Sequence, residues 1–145
     1  MKIKEIIELL GDREVPKILE HESIKNSLFK MLKHPHTRLI YVVDEHDVYK
    51  GTISLGELIR HMFSDYTEPS FLPRTLVNIV TAETSQDIMN KKLLTATIED
   101  TVEDVIMKMI SAGIKEIAVV DVNNKIVADI TMLDLLKHYH LDRID

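Results

Sequence analysis

The sequence carries one α/β unit twice, and this duplication restricts the chain to folds built from two like halves. The segment RLIYVVDEHDVYKGTISLGELIRHMF from Arg38 aligns without gaps on KEIAVVDVNNKIVADITMLDLLKHYH from Lys115, at a constant offset of 77. Seven aligned positions are identical: Ile40/Ile117, Val42/Val119, Val43/Val120, Asp44/Asp121, Ile53/Ile130, Leu58/Leu135 and His61/His138. Upstream, SIKNSLFKMLKH from Ser23 pairs with TVEDVIMKMISA from Thr101 at an offset of 78, with one extra residue near Pro35 absorbing the difference.

Each copy reads alike by period. Val102, Val105, Ile106, Met109 and Ile110 recur at helical spacing behind Thr101, a candidate N-cap, which predicts a helix over 102–112 stopped at Gly113. Ile24, Leu28, Met31 and Leu32 repeat that face, and His34-Pro35 ends it. The β-branched runs IAVV and IVADI flank the turn DVNNK and predict adjacent antiparallel strands, with LIYVV and VYKGTI as their counterparts around DEHD. A closing helix follows in each copy, carrying Leu58, Ile59 and Met62, then Leu135, Leu136 and Tyr139. Short strands near Lys17–Leu19 and Thr95–Thr97 complete two β-α-β-β-α units. The expected division is repeat 1 with the N-terminal helix over 1–63, a linker over 64–83 holding Pro69, Pro73 and a short helix near Leu76 to Val80, and repeat 2 over 84–145. One unit leaves a sheet face open, so the predicted fold is α/β (α+β), with two units packed sheet to sheet in pseudo-twofold symmetry around a cleft.

Composition excludes several functions. Cysteine is absent, which removes disulfides, thiolate metal sites and cysteine nucleophiles and fits a reducing compartment. A formal net charge of -6 with no basic segment argues against nucleic-acid binding. MKIKEIIELLGD lacks the features of a signal peptide, and no apolar run approaches a membrane span, so a cytoplasmic protein without direct membrane insertion is expected.

The run GIKEIAVVDVNNKIVADITMLDLL, its partner LIYVVDEHDVYKGTISLGEL and the lead-in DIMNKKLLTATIEDTVEDVIMKM together resemble the cystathionine-β-synthase-type (CBS) domain. Its strands read apolar-VVD, a turn, then apolar-Gly-apolar-apolar-Ser/Thr-x-x-Asp before a helix. The resemblance implies a tandem pair that binds an adenosine-containing ligand and forms a homodimer. It places the ribose-binding acid on Asp134 and Glu57 and the phosphate-side hydroxyl on Thr131 and Ser54, at helix starts where backbone N–H groups favour an anion. It places adenine against Thr95 and Ile114 in the second copy and Lys17 and Thr37 in the first. Composite sites then follow: Thr131, Asp134, Lys17 and Thr37 in one, and Ser54, Glu57, Thr95 and Ile114 in the other.

Two departures shape the expected ligand. Glu57 is one methylene longer than the family's acid, and Ala128-Asp129 adds a carboxylate near the expected phosphate path. Unless Lys17, Arg38, Lys115 or a metal ion compensates, that acid disfavours polyphosphates, so among AMP, ADP, ATP, adenosine and S-adenosylmethionine a ligand with little negative charge, such as AMP, adenosine or S-adenosylmethionine, is expected over ATP. If one site alone is filled, it is the one containing Asp134.

Simpler explanations stand beside these. Ser54-x-x-Glu57 and Thr131-x-x-Asp134 are also capping boxes. His34-x-His36 and His138-x-His140 lack the spacing and acid cluster of a metal site, so no metal is assigned. Met31, Met62, Met107 and Met109 are expected in the core or a dimer face. No P-loop, nucleophile elbow or HExxH is present. The expectation is a regulatory module and not an enzyme, needing no cofactor and acting in trans on an effector protein such as a transporter, channel or enzyme. The alternatives are a ligand-free dimerisation module, with Leu39, Tyr41 and Tyr49 filling the cleft, and a divalent-cation sensor linked to a transporter.

Overall fold

The computed structural model describes residues 1–35, 37–63 and 84–140, so the linker, its expected short helix and His36 lie outside the described residues. The fold is mixed α/β, with two three-stranded sheets in two compact units. One unit is Pro16–Leu93, and the other joins Met1–Val15 to Leu94–Asp145.

In the first-repeat unit, strand β1 (Lys17–Leu19) pairs parallel with β2 (Leu39–Val43), which pairs antiparallel with β3 (Tyr49–Ser54). Helix α2 (Ile24–Lys33) crosses from β1 to β2, and α3 (Leu55–Met62) follows β3. Alternation along the strands turns Ile40, Val42 and Ile53 into one cluster with Ile24, Met31 and Leu58. A one-turn helix, α4 (Ser85–Ile88), closes this unit, with Ile88 and Met89 against the same cluster.

The second-repeat unit repeats the plan. Strand β4 (Thr95–Ala96) pairs parallel with β5 (Glu116–Val120), and β5 pairs antiparallel with β6 (Ile126–Thr131). Helix α5 (Val102–Ala112) starts at Thr101, whose hydroxyl accepts from the Asp104 N–H at 3.2 Å, and stops at Gly113 in the left-handed conformation. Helix α6 (Met132–His140) closes the repeat. Ile117, Val119, Ala128 and Ile130 meet Val102, Val105, Met109 and Leu135 in its core.

The identical aspartates shape identical turns. Asp44 accepts through Oδ1 from the N–H groups of His46 and Val48 at 2.8 and 3.0 Å, and Asp121 accepts from Asn123 and Lys125 at the same distances. Asp47 and Asn124, aligned in the repeat, both take positive φ, a conformation that Asp and Asn tolerate.

The N-terminal helix, grouped by sequence with repeat 1, packs instead on the core of the second repeat. Helix α1 (Ile3–Leu10) buries Ile3 and Ile6 in that cluster. Its start is pinned by the Ile3 N–H to Asp100 O at 2.9 Å and the Lys4 N–H to Ile98 O at 3.1 Å, beside a Lys2–Thr101 bridge. The same contacts recur in the other unit: Ser85 N–H to Glu22 O at 2.8 Å, Gln86 N–H to Glu20 O at 2.9 Å, and a Ser23–Thr84 bridge. Each repeat is therefore closed by a helix from the segment that precedes the other repeat. Where one unit places Ile3 and Val105, the other pairs Ser27 and Ser85 by hydroxyls 2.9 Å apart.

Several apolar positions face outwards. Leu32, Met107 and Ile110 are exposed at 66%, 61% and 60%, and Ile59 is also exposed, whereas Met31 and Met109 are buried and Met62 packs on the first core. Leu32 and Ile110 each stand one residue past a buried methionine, a rotation of about 100° off the core stripe.

Candidate functional site

The acid and hydroxyl of the second repeat sit at the start of α6. Thr131 closes β6, and its hydroxyl accepts from the Asp134 N–H at 3.1 Å while Asp134 Oδ2 accepts from the Thr131 N–H at 2.9 Å. In the first repeat the Ser54 hydroxyl accepts from the Glu57 N–H at 3.1 Å, and Glu57 Oε2 accepts from the Ser54 N–H at 3.3 Å. Both pairs thus form capping boxes.

Among the described residues, a cation on Asp134 separates the two acids. Arg13 lies past the end of α1 and donates from Nη2 to Asp134 Oδ2 at 2.6 Å and from Nη1 to Asp134 Oδ1 at 3.2 Å. Nη2 also donates to the backbone carbonyl of Asp129. The side chains of Arg13 and Asp134 are 27% and 15% exposed, so this fork is partly shielded from water. Burial pushes the Asp134 carboxyl up, but the hydrogen bonds from Arg13 and Thr131 outweigh it and hold the group below its ordinary 3.8. Arg13 is raised, first by its hydrogen bond to Asp134, and it also feels the charges of Asp129 and Glu116. The charges of three acids therefore act on one guanidinium.

A lowered carboxyl contributes stability that is complete above its ordinary value and lost as the pH falls through the lowered one. The thermal stability advantage of wild type over Asp134→Asn should hold above about pH 5 and shrink as the pH drops below 3.8. Melting curves at stepped pH test this, and an undiminished advantage at about pH 2 to 3 would contradict it.

The remaining expected residues divide between the units. Thr95 pairs with Ala118, which pairs in turn with Asp129, so these three form one row across the second sheet. Ile114 packs on the second core, and Asp129 is buried. Lys17 is in the first-repeat unit, its Nζ 3.1 Å from Asp47 Oδ1, and Thr37 is buried there with its hydroxyl accepting from the Leu39 N–H at 3.1 Å. Each expected composite set thus draws on residues from both units: Thr131 and Asp134 belong to one, Lys17 and Thr37 to the other. Within the first-repeat unit, Lys17, Glu22, Asn26 and Lys30 line a shallow cleft of about 160 Å³. That volume is small beside the few hundred Å³ of an ordinary ligand pocket. Tyr41 and Tyr49 are buried with their rings edge to face at 5.7 Å, and Leu39 is half-buried.

Arg13 escaped sequence reasoning. It stands 121 residues from Asp134, and nothing in DREVPK distinguishes it from a solvated charge. Among the described residues, no group of three or more His, Asp or Glu is placed to hold a metal ion, and no helix is long and apolar enough to cross a membrane.

Comparison with known proteins agrees with this architecture. A CBS domain-containing protein from Thermotoga maritima is similar at 24% identity and a TM-score of 0.77, covering 100% of this chain and 98% of that one. The CBS domain pair of protein MJ0100, solved with 5'-methylthioadenosine and S-adenosyl-L-methionine, is similar at 20% identity and a TM-score of 0.71, covering 99% and 98%. CBSX2 in complex with AMP is similar at 14% identity and a TM-score of 0.72, covering 98% of each chain. No curated protein matches the chain. The family description "CBS domain" matches residues 3–64 and again residues 85–141. With two copies of its unit matched and the paired strands, turns and capped helices present in both, the chain belongs to the CBS domain family as a tandem pair.

Proposed function

We propose that this CBS pair is a regulatory module, not a catalytic one, that binds an adenosine-containing ligand and passes the change to an effector protein in trans. The observation that carries the reading is the Thr131–Asp134 pair: a hydroxyl and an ionised carboxylate, partly open, at the start of a nine-residue helix. A carboxylate accepts from both hydroxyls of a ribose, and a helix start favours an anionic group. The bound adenosine compounds in the MJ0100 pair and in CBSX2 support the ligand class. The buried Asp129, next to the expected phosphate path, supports AMP, adenosine or S-adenosylmethionine over ATP.

Isothermal calorimetry against AMP, ADP, ATP and S-adenosylmethionine tests the reading, and silence at millimolar ligand would sink it. Where binding occurs, Asp134→Ala should weaken it by about 1.5 to 3 kcal/mol, the usual worth of a hydrogen bond to a charged group. An unchanged affinity would move the site elsewhere.

The alternative of a ligand-free dimerisation module draws on the buried Tyr41–Tyr49 pair, and if one site alone is filled, the one containing Asp134 is proposed. The proposed homodimer is supported by matched exposure: Phe29 and Leu32 on α2 recur as Met107 and Ile110 on α5 at an offset of 78. A cytoplasmic location is part of the same proposal.

A further inference from the structure

Resting on the adenosine reading, we propose that Arg13 is a built-in competitor for the site: it occupies Asp134 in the free protein, and the ligand's ribose must displace it. The acceptor count requires this. A carboxylate offers roughly four acceptor positions. Arg13 takes one on each oxygen, and the Thr131 N–H takes another on Oδ2. A vicinal diol needs two positions, and fewer than two remain, so at least one arm of the guanidinium has to leave.

The contact is also built to be released. In the first repeat, the segment following α4 is tied to β3 by two backbone hydrogen bonds, Thr52 N–H to Asn90 O at 3.0 Å and Asn90 N–H to Thr52 O at 2.8 Å. Position 129 aligns with Thr52, and there the carbonyl is met by the Arg13 side chain instead. A side chain can swing away without unpairing any strand. Both members of the pair keep some exposure to water, so the freed guanidinium is rehydrated as it departs. Arg13 lies between Gly11, at φ 67°, and Pro16, on the stretch that carries the chain from α1 to β1. Displacement therefore removes the Arg13 anchor from that connection, which gives ligand binding a mechanical output.

Adenosine, which carries the diol without a phosphate, isolates the competition, and AMP serves as the parallel ligand. Calorimetry on the full chain should show Arg13→Ala binding adenosine about tenfold more tightly than wild type, because the fraction of sites already open rises. Arg13→Lys, which keeps the charge but loses the fork, should fall between them and serves if the alanine variant fails to melt cooperatively. Equal or weaker adenosine binding by the variants, with AMP still bound by wild type, overturns the competitor and leaves the adenosine reading standing. No binding of adenosine, AMP, ADP, ATP or S-adenosylmethionine by any of the proteins overturns both.

Discussion

Ile6→Ala is expected to destabilise the second repeat by 2 to 5 kcal/mol, about the cost of truncating a fully buried isoleucine. Ile6 is 0% exposed and lies in the cluster with Val102, Val105, Met109 and Leu135. The neighbours are held by their own strands and helices, so the void relaxes only partly. Leu9→Ala, on the same helix but 58% exposed, should change stability by less than about 0.5 kcal/mol. Urea unfolding of both variants makes the comparison. A loss below about 1 kcal/mol at Ile6 would show that α1 is peripheral to the core it joins. The same reasoning predicts that residues 84–145 alone lack a complete core, since Ile3 and Ile6 come from the other end of the chain.

Gly51→Ala should cost about 3 kcal/mol, the upper part of the overpacking range. A Cβ on Gly51 would stand 2.7 Å from the backbone oxygen of Asn90 and 2.8 Å from Met89 Sδ. The methionine can turn aside, but the carbonyl is fixed by its bond from the Thr52 N–H. Either β3 or the segment after α4 must give way. Gly56, in contrast, sits in α3 with its nearest neighbour 3.5 Å from a built Cβ, so Gly56→Ala should be neutral or stabilising by up to about 1 kcal/mol. Thermal melting of the two variants tests the pair, and equal effects would refute it. Ala128 occupies the position aligned with Gly51, where its methyl joins the second core. The backbone oxygen that crowds Gly51 comes from the segment after α4, while the aligned strand is met by Arg13. This accounts for glycine in one repeat and alanine in the other.

Much of this was legible in the sequence. The stop of α5 at Gly113 followed from the end of an apolar period meeting a residue free to turn left-handed. The hairpins followed from β-branched runs around short polar turns, and both capping boxes from their spacing. Periodicity did less well at the margins of the helix stripe. It marks Leu32 and Ile110 as apolar, but only the neighbouring elements decide whether a residue about 100° from the stripe finds cover.

The duplication therefore determined, by sequence alone, the two β-α-β-β-α units, their turns and the family to which they belong, because those features arise from local patterns and from comparison of one segment with another. Tertiary structure alone decided which helix closes which repeat and which cation holds Asp134. α1 buries Ile3 and Ile6 in one core while α4 sets Ile88 against the other, and Arg13 meets an acid 121 residues away. Contacts between distant segments depend on where the folded chain carries them, and no spacing within a sequence records that path.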